Sequence, residues 1–230
     1  IAYGAEHTSY RPITKNLKEK YSFLKNDYAF KVCRIEPENN IDLVLEAFSK
    51  EAIMPLVIVG NWDASHYGRS LKKKYRLLPN IKLYDPIYDL EILDVFRSNC
   101  SVYIHGHSAG GTNPSLVEAM YLKAPIIAFD INYNRETTHN QAFYFSSASD
   151  IKETLAYVSK KHFEEMALTL HQISLIEYNW EVISDKYYRE MTGEEILVPS
   201  LVKDKPYRTE PKPVLLRPKV TIPPAYDPAA

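Results

Sequence analysis

Short apolar runs alternate with segments of helical periodicity along residues 26–160, and this alternation limits the possible folds more than any other feature. Residues 29–35 favour a β-strand, and residues 41–48 then carry apolar side chains at the i, i+3, i+4, i+7 spacing of one helical face. The pattern repeats. Further strands are predicted at residues 55–60, 81–84, 101–105, 124–129 and 142–145. Helices are predicted between them at residues 69–76, after an Asp89 N-cap, and at residues 115–122.

These strands lack the apolar/polar alternation of a half-exposed sheet, and most are followed by a helix. A parallel sheet that is covered on both faces requires this pattern. The sequence therefore predicts an α/β fold with a doubly wound, Rossmann-like parallel sheet. Ligands of such sheets bind at the carboxyl ends of the strands. Additional helices are predicted at residues 150–160, at 163–173 and around Trp180.

Three regions of the chain are distinguished by composition. Residues 1–25 are predicted to be an interdomain linker, or the end of a preceding N-terminal domain that is missing from this chain. Residues 26–193 form the predicted domain with its return helices. Residues 194–230 are predicted to be an extended tail, because eight of the fifteen prolines lie between Pro199 and Pro228.

The charge balance excludes one class of partner. Lys and Arg total 28 against 29 Asp and Glu, so the formal net charge is −1 and bulk charge offers no attraction for nucleic acid. No apolar run approaches the roughly 18 residues that span a bilayer, and we expect a cytoplasmic protein. Cys33 and Cys100 lie in apolar segments and are predicted to be reduced core thiols.

A glycine-rich loop is the strongest functional signal. Three of the seven glycines, Gly106, Gly110 and Gly111, fall within six residues between a predicted strand and a helix. Asn113 is the predicted N-cap of that helix, with Pro114 at its first position. Free amides at the helix start, beside glycines that admit a ligand, predict a phosphate site. The alternative is a tight turn that binds nothing.

Two charged residues extend this hypothesis. Glu118 follows the loop on the helix and is suited to accept hydrogen bonds from both hydroxyls of a ribose; the alternative is a solvated helix residue. Arg34 is predicted to end the first strand at the same sheet edge, where its guanidinium would bind phosphate. The alternative is a surface ion pair of Arg34 with Glu36 or Glu38.

Two segments carry a resemblance to a known family: RIEPENN at residues 34–40 and GHSAGGTNPSLVEAM at residues 106–120. Residues 32–160 resemble the C-terminal, nucleotide-sugar-binding domain of GT-B glycosyltransferases of the family 4 type, and more narrowly a bacterial rhamnosyltransferase-like branch. The resemblance implies that Glu118 holds the donor ribose, that the Gly111 amide meets the diphosphate, and that Arg34 binds phosphate.

The sequence departs from the family pattern at two positions. Gly110 stands where a second glutamate usually faces the donor sugar, and Asn39 stands where a lysine usually follows the arginine. Other loop residues must supply part of these contacts. The candidates are His107, Ser108, Thr112 and Asn113.

Residues near the same predicted edge are candidates for further contacts with the donor. His107 is expected to donate to the phosphates or the sugar, and no metal is expected, because His105 and His107 have no third ligand beside them. Arg135, in a predicted polar loop at residues 132–138, is expected to border the donor together with Glu136, with an internal salt bridge as the alternative. Tyr88 is expected to stack on the base, with a core or surface role as the alternative.

The resemblance implies transfer of a hexosyl group, here expected to be rhamnosyl, from a nucleoside-diphosphate sugar to a cell-surface polysaccharide, glycan or lipid-linked glycan acceptor. Arg34 and His107 are the expected catalytic residues, and no cofactor is expected besides the donor. A missing N-terminal domain would hold the acceptor, so the chain alone is expected to be inactive, and the full-length enzyme could associate with the inner face of the membrane. The alternatives are a non-catalytic nucleotide-sugar-binding module and a GT-B-like sugar-nucleotide epimerase.

Overall fold

A computed structural model describes residues 2–49 and 54–193 of the chain. Within these residues the strands are β1 (Ala29–Val32), β2 (Leu56–Val59), β3 (Ile81–Tyr84), β4 (Val102–His105), β5 (Ile126–Phe129) and β6 (Phe143–Phe145). They form one sheet in the order β3-β2-β1-β4-β5-β6, and every pair of neighbours is parallel.

Helices connect and cover these strands. In the described residues they are α1 (Lys15–Lys20), α2 (Ile41–Ser49), α3 (His66–Tyr75), α4 (Leu90–Ser98), α5 (Pro114–Tyr121), α6 (Asn132–Thr137), α7 (Ala148–Tyr157), α8 (Lys160–Glu177) and α9 (Trp180–Thr192). Short 3-10 helices lie at Ser22–Lys25 and Pro37–Asn39. Among the helices of these residues, none is both long enough and apolar enough to cross a membrane.

This topology confirms the predicted doubly wound α/β fold. The chain moves outward from β1 through β2 to β3, then crosses back to place β4 on the other side of β1. The strand order therefore reverses between β1 and β4. In open parallel sheets this reversal leaves a crevice at the carboxyl ends of the two strands, where ligands bind.

The residues before β1 pack against the core of the domain. The Phe23 side chain is 3% exposed, and its ring centroid lies 4.9 Å from that of Tyr28 and 5.0 Å from that of Phe96. Near the start of the chain, the Ala5 amide donates to the Tyr178 carbonyl at 2.8 Å. These contacts join residues 2–25 to the domain, whereas their predicted role as an interdomain linker remains a prediction. The predicted tail lies outside the described residues.

Two predictions for segments at the carboxyl edge of the sheet are wrong. The first strand ends at Val32 and not at residue 35, because the chain turns where the Glu36 amide bonds the Arg34 carbonyl at 3.0 Å and then enters the 3-10 helix at Pro37–Asn39. The predicted polar loop at residues 132–138 is largely the helix α6. Its side-chain anchor is Asn134, which donates to carbonyls outside the helix.

We predict that Phe23→Ala lowers the free energy of unfolding by about 3–5 kcal/mol, because it leaves a cavity where the Phe23 ring packs against Tyr28 and Phe96. Urea denaturation of both proteins measures the difference. Leu77→Ala is the control: Leu77 is 83% exposed, and its loss should change stability by no more than about 0.5 kcal/mol. Equal stability of Phe23→Ala and the parent would contradict this packing.

Candidate functional site

A cavity of about 230 Å³ opens at the sheet edge where the strand order reverses. Its walls are the carboxyl ends of β1 and β4, the turn at Pro37–Asn39 and the start of α5. The residues that line it are Lys31, Val32, Cys33, Arg34, Asn39, His105, His107, Asn113, Pro114 and Ser115. Both sequence motifs at this edge therefore contribute to one cavity, as expected for a parallel sheet.

The two motifs hold each other in place by hydrogen bonds. The Ser108 amide and hydroxyl both donate to the Glu38 carbonyl, at 2.8 and 3.0 Å. The Asn40 side-chain amide donates to the Gly106 carbonyl at 2.8 Å. Ser108 thus anchors the loop, and its hydroxyl proton is already used within the protein.

Arg34 lies two residues beyond the end of β1, so the expectation that it terminates the strand is wrong, although it does line the cavity. Its side chain is 79% exposed, and Nη2 lies 3.4 Å from Glu38 Oε1. The alternative ion pair is thus present. Exposed ion pairs of this kind contribute about 0–1 kcal/mol, so the guanidinium can turn toward a ligand at little cost.

His107 is oriented by the turn on the other side of the cavity. Its Nδ1 lies 3.0 Å from Asn39 Oδ1, and the Asn39 side-chain amide donates to the Arg34 carbonyl at 2.9 Å. Burial lowers the pKa of His107, which favours the neutral ring. The buried Asn134 side chain donates to the His107 carbonyl at 2.9 Å, so α6 also positions this histidine.

The backbone amides of the glycine-rich loop are available, whereas those of the helix start are not. Pro114 has no amide proton, the Ser115 amide donates to Asn113 Oδ1 at 3.0 Å, and the Leu116 amide donates to the Asn113 carbonyl. The expectation of free amides in the first helical turn is therefore wrong. Within the described residues, the amides of residues 109–113 donate no hydrogen bond. Gly111 adopts a φ of 71°, and Gly110 lies exposed beside it.

A smaller cavity of about 120 Å³ adjoins the same loop. Gly111 and Thr112 line it together with α6 residues Tyr133, Glu136 and Thr137, and with Tyr178. The loop therefore separates two cavities: Asn113 faces the larger one, and Gly111 and Thr112 face the smaller. Glu136, expected to border the donor, lies at this second cavity.

Glu118 does not lie on a solvated helix face, so that alternative is wrong. Its Oε2 lies 2.5 Å from Arg97 Nη2 in a pair whose side chains are 13% and 6% exposed. On the more open side, His7 Nε2 lies 3.1 Å from Glu118 Oε1. Glu118 therefore links α5 to α4 and to the opening segment of the chain.

Arg135 and Tyr88 lie outside both cavities. Arg135 makes two bonds to Asp130, from Nε at 2.5 Å and from Nη2 at 2.8 Å, and its guanidinium lies 4.1 Å from the centroid of the Tyr144 ring. An internal salt bridge is thus present, with Asp130 as the partner. Tyr88 is 87% exposed in the segment between β3 and α4.

Two further residues of the larger cavity were not assigned to the donor site from the sequence: Lys31 was not singled out, and His105 was named only as a potential metal ligand. Lys31 on β1 and His105 at the end of β4 are buried and line it. A lysine inside an apolar strand was the signal for the first of them. Among the described residues, no three His, Cys, Asp or Glu side chains are placed to hold a metal ion together.

Comparison with known proteins identifies the family. Residues 13–169 match the family model described as "Glycosyl transferases group 1". Among curated proteins, none matches the sequence.

Several solved structures share the fold. Anabaena HepE in complex with UDP-glucose aligns with a TM-score of 0.71 and 12% identity, over 84% of this chain and 56% of its own. Sucrose-phosphate synthase from Thermosynechococcus elongatus aligns with a TM-score of 0.66 and 18% identity, over 84% of this chain and 51% of its own. The C-terminal domain of the group 1 glycosyl transferase LpcC from Francisella tularensis aligns with a TM-score of 0.58 and 16% identity, over 76% of this chain and 97% of its own. The chain spans about half the length of the HepE and synthase structures.

We predict that Glu118→Ala lowers the free energy of unfolding by about 1.5–3 kcal/mol, because it removes the nearer of the two carboxylates that pair with the buried Arg97 guanidinium and leaves only Asp94, at 3.8 Å. Chemical denaturation measures the loss. The matched control is Glu91→Ala, which removes an exposed partner of Arg11 and should cost no more than about 1 kcal/mol. Equal effects of the two substitutions would show that the Arg97 pair is not buried in solution.

Proposed function

Because the chain belongs to the group 1 glycosyl transferase family, we propose that it is the donor-binding part of a hexosyltransferase of the family 4 type. In this proposal the larger cavity receives the diphosphate of a nucleoside-diphosphate sugar. Support comes from structural relatives: HepE was solved with UDP and with UDP-glucose. No cofactor besides the donor is proposed.

One observation carries the proposal: an exposed cation and a loop with unpaired amides border the crevice where the strand order reverses. Arg34 and Asn113 line the larger cavity, Gly111 and Thr112 line the adjoining smaller one, and the amides of residues 109–113 lack internal partners. Successive free amides and an arginine make an anion site that needs no metal. A diphosphate satisfies both groups, because its oxygens accept several hydrogen bonds at once.

The same groups would promote transfer. As the bond between the sugar anomeric carbon and the phosphate oxygen breaks, the electron pair leaves on the diphosphate. The acceptor hydroxyl attacks the anomeric carbon and gives its proton to an oxygen of the departing diphosphate. Donors already fixed around the leaving group stabilise the charge that develops there. Arg34 and the loop amides contact the leaving group in this scheme. The Nδ1 proton of His107 is directed at Asn39 Oδ1, so His107 donates to a phosphate or sugar oxygen from Nε2 as the imidazolium, which the charge of the diphosphate favours.

The remaining assignments of the site are part of the proposal. Glu118 holds the ribose, which requires the hydroxyls to replace His7 on the open side of the carboxylate while Arg97 stays in place. Gly111 and Thr112 contact the donor from the second cavity, and Asn113 does so from the first. Arg135 and Tyr88 border the donor only if their side chains move from the positions described above.

The donor sugar and acceptor follow from the resemblance of residues 34–40 and 106–120 alone. We propose a rhamnosyl donor and a cell-surface polysaccharide or lipid-linked glycan acceptor, with a further domain to hold the acceptor. The reaction would then take place in the cytoplasm, at the inner face of the membrane.

Calorimetric titration with UDP, GDP and dTDP in EDTA tests the donor site. At least one nucleotide should bind without divalent metal, and Arg34→Ala should weaken that binding by about 1.5–3 kcal/mol, the range for a hydrogen bond to a charged group. Arg76→Ala is the control, since Arg76 is exposed at the carboxyl end of α3, at the opposite edge of the sheet.

Two outcomes of this titration would contradict the proposal. The first is that the parent protein binds none of the three nucleotides. The second is that binding occurs only after addition of magnesium or manganese, which would place a metal in the site.

A further inference from the structure

We propose that Lys31 is a phosphate-binding residue that contacts the donor diphosphate from the sheet side of the larger cavity. The inference rests on the proposed function and adds a second cation to that site. It assigns a role to a residue of the central strand that sequence patterns did not single out.

Lys31 is a buried cation without a counter-charge. The residue is 2% exposed on β1, and it lines the cavity. Within the described residues its ammonium makes no hydrogen bond or ion pair, and burial lowers its pKa. An unpaired ammonium in the interior lowers the stability of the fold. An anion that binds in the cavity would supply the counter-charge that the protein itself does not provide.

Gly106 keeps the space around this ammonium open. A Cβ atom at position 106 would lie 2.9 Å from Lys31 Nζ and 2.2 Å from the Asn39 carbonyl oxygen. Any other residue would therefore displace the ammonium or the turn. Two of the three glycines in the loop meet nothing at the corresponding position, so this close approach is specific to Gly106.

His105 lies beside Lys31 and is also unsatisfied. Its Nε2 is buried and has no hydrogen-bond partner in the described part of the chain. Its ring stacks on Tyr103 with a centroid distance of 6.3 Å. Burial and the neighbouring ammonium lower the pKa of His105 well below its usual value, so the ring stays neutral and can donate one hydrogen bond. Two residues with unpaired polar side-chain atoms thus line one cavity.

Charge balance identifies the ligand class. A diphosphate carries at least two negative charges, and on the turn side Arg34 is the cation that lines the cavity, with Glu38 partly offsetting it. Asn39 beside it is neutral. Lys31 supplies the second positive charge from β1, so the two cations can bind both phosphates.

Titration of Lys31→Met with UDP, with inorganic pyrophosphate and with uridine tests this role. Lys31→Met should weaken binding of UDP and of pyrophosphate by about tenfold or more, the loss expected for a charge-assisted hydrogen bond. Binding of uridine should not change, because uridine has no phosphate. Lys82→Met is the matched control, a half-buried lysine on β3 that lines neither cavity.

The outcomes of these titrations distinguish the role of Lys31 from the proposed donor-binding function. If the parent binds UDP and Lys31→Met binds it equally well, the role of Lys31 is wrong and the proposed function stands. If the parent binds neither UDP nor pyrophosphate, both are wrong. If uridine binding weakens as much as UDP binding, Lys31 maintains the shape of the site and does not bind phosphate, and its proposed role is wrong.

Folding of the variant is a further test. Removing an unpaired buried charge should leave the melting temperature of the ligand-free protein unchanged or raised, whereas a structural lysine would lower it. Should Lys31→Met fail to fold, Lys31→Gln in the same titrations decides the question. In the unsubstituted protein, a lysine ¹³Cε resonance that is absent from Lys31→Gln should shift when pyrophosphate is added, and an unmoved resonance would overturn the inference.

Discussion

The pairing of β1 with β4 is the constraint on which the candidate site depends. These strands share only two register pairs, Ala29 with Val102 and Phe30 with Tyr103, whereas β1 pairs with β2 over four residues. Beyond those pairs β1 and β4 diverge, and the larger cavity opens between their carboxyl ends. The helix crossovers on opposite faces of the sheet cause this reversal of strand order. Hydrogen bonds between the turn at Pro37–Asn39 and the glycine-rich loop then fix the distance across the cavity.

Two buried cations, Arg97 and Lys31, differ in whether the protein provides an anionic partner. Arg97 pairs with Glu118 at 2.5 Å and lies 3.8 Å from Asp94, and its pair with Glu118 joins α4 to α5. Lys31 has no anionic partner within the described residues, and it lies at the sheet edge where the amides of residues 109–113 are also unpaired. A buried pair stabilises the domain, whereas an unpaired cation does so only when a ligand is present. An anion that binds in the larger cavity would therefore stabilise the domain.

The fold was largely predictable from sequence because each strand of this sheet is a short apolar run. Leu56–Val59, for example, is buried on both faces and shows no alternation. The helix α6 was not predictable: it has no side-chain N-cap bond, and its Asn134 is satisfied by carbonyls of residues 107 and 129, which only the folded chain brings together.

The site was predictable in part. Arg34 and His107 line the same cavity, as expected from motifs at the ends of neighbouring strands. Lys31 was missed because strand patterns treat a single lysine as an interruption and not as a cavity residue. The partner of Glu118 was missed because Arg97 belongs to a different helix, and no local spacing relates the two.

A crystal structure of the chain with UDP bound in the presence of EDTA tests the candidate site most directly. The diphosphate should lie in the crevice between β1 and β4, within hydrogen-bond distance of the Arg34 guanidinium and of amides in residues 109–113. A nucleotide bound at the opposite sheet edge, or with its phosphates in solvent away from this crevice, would contradict the proposed donor site.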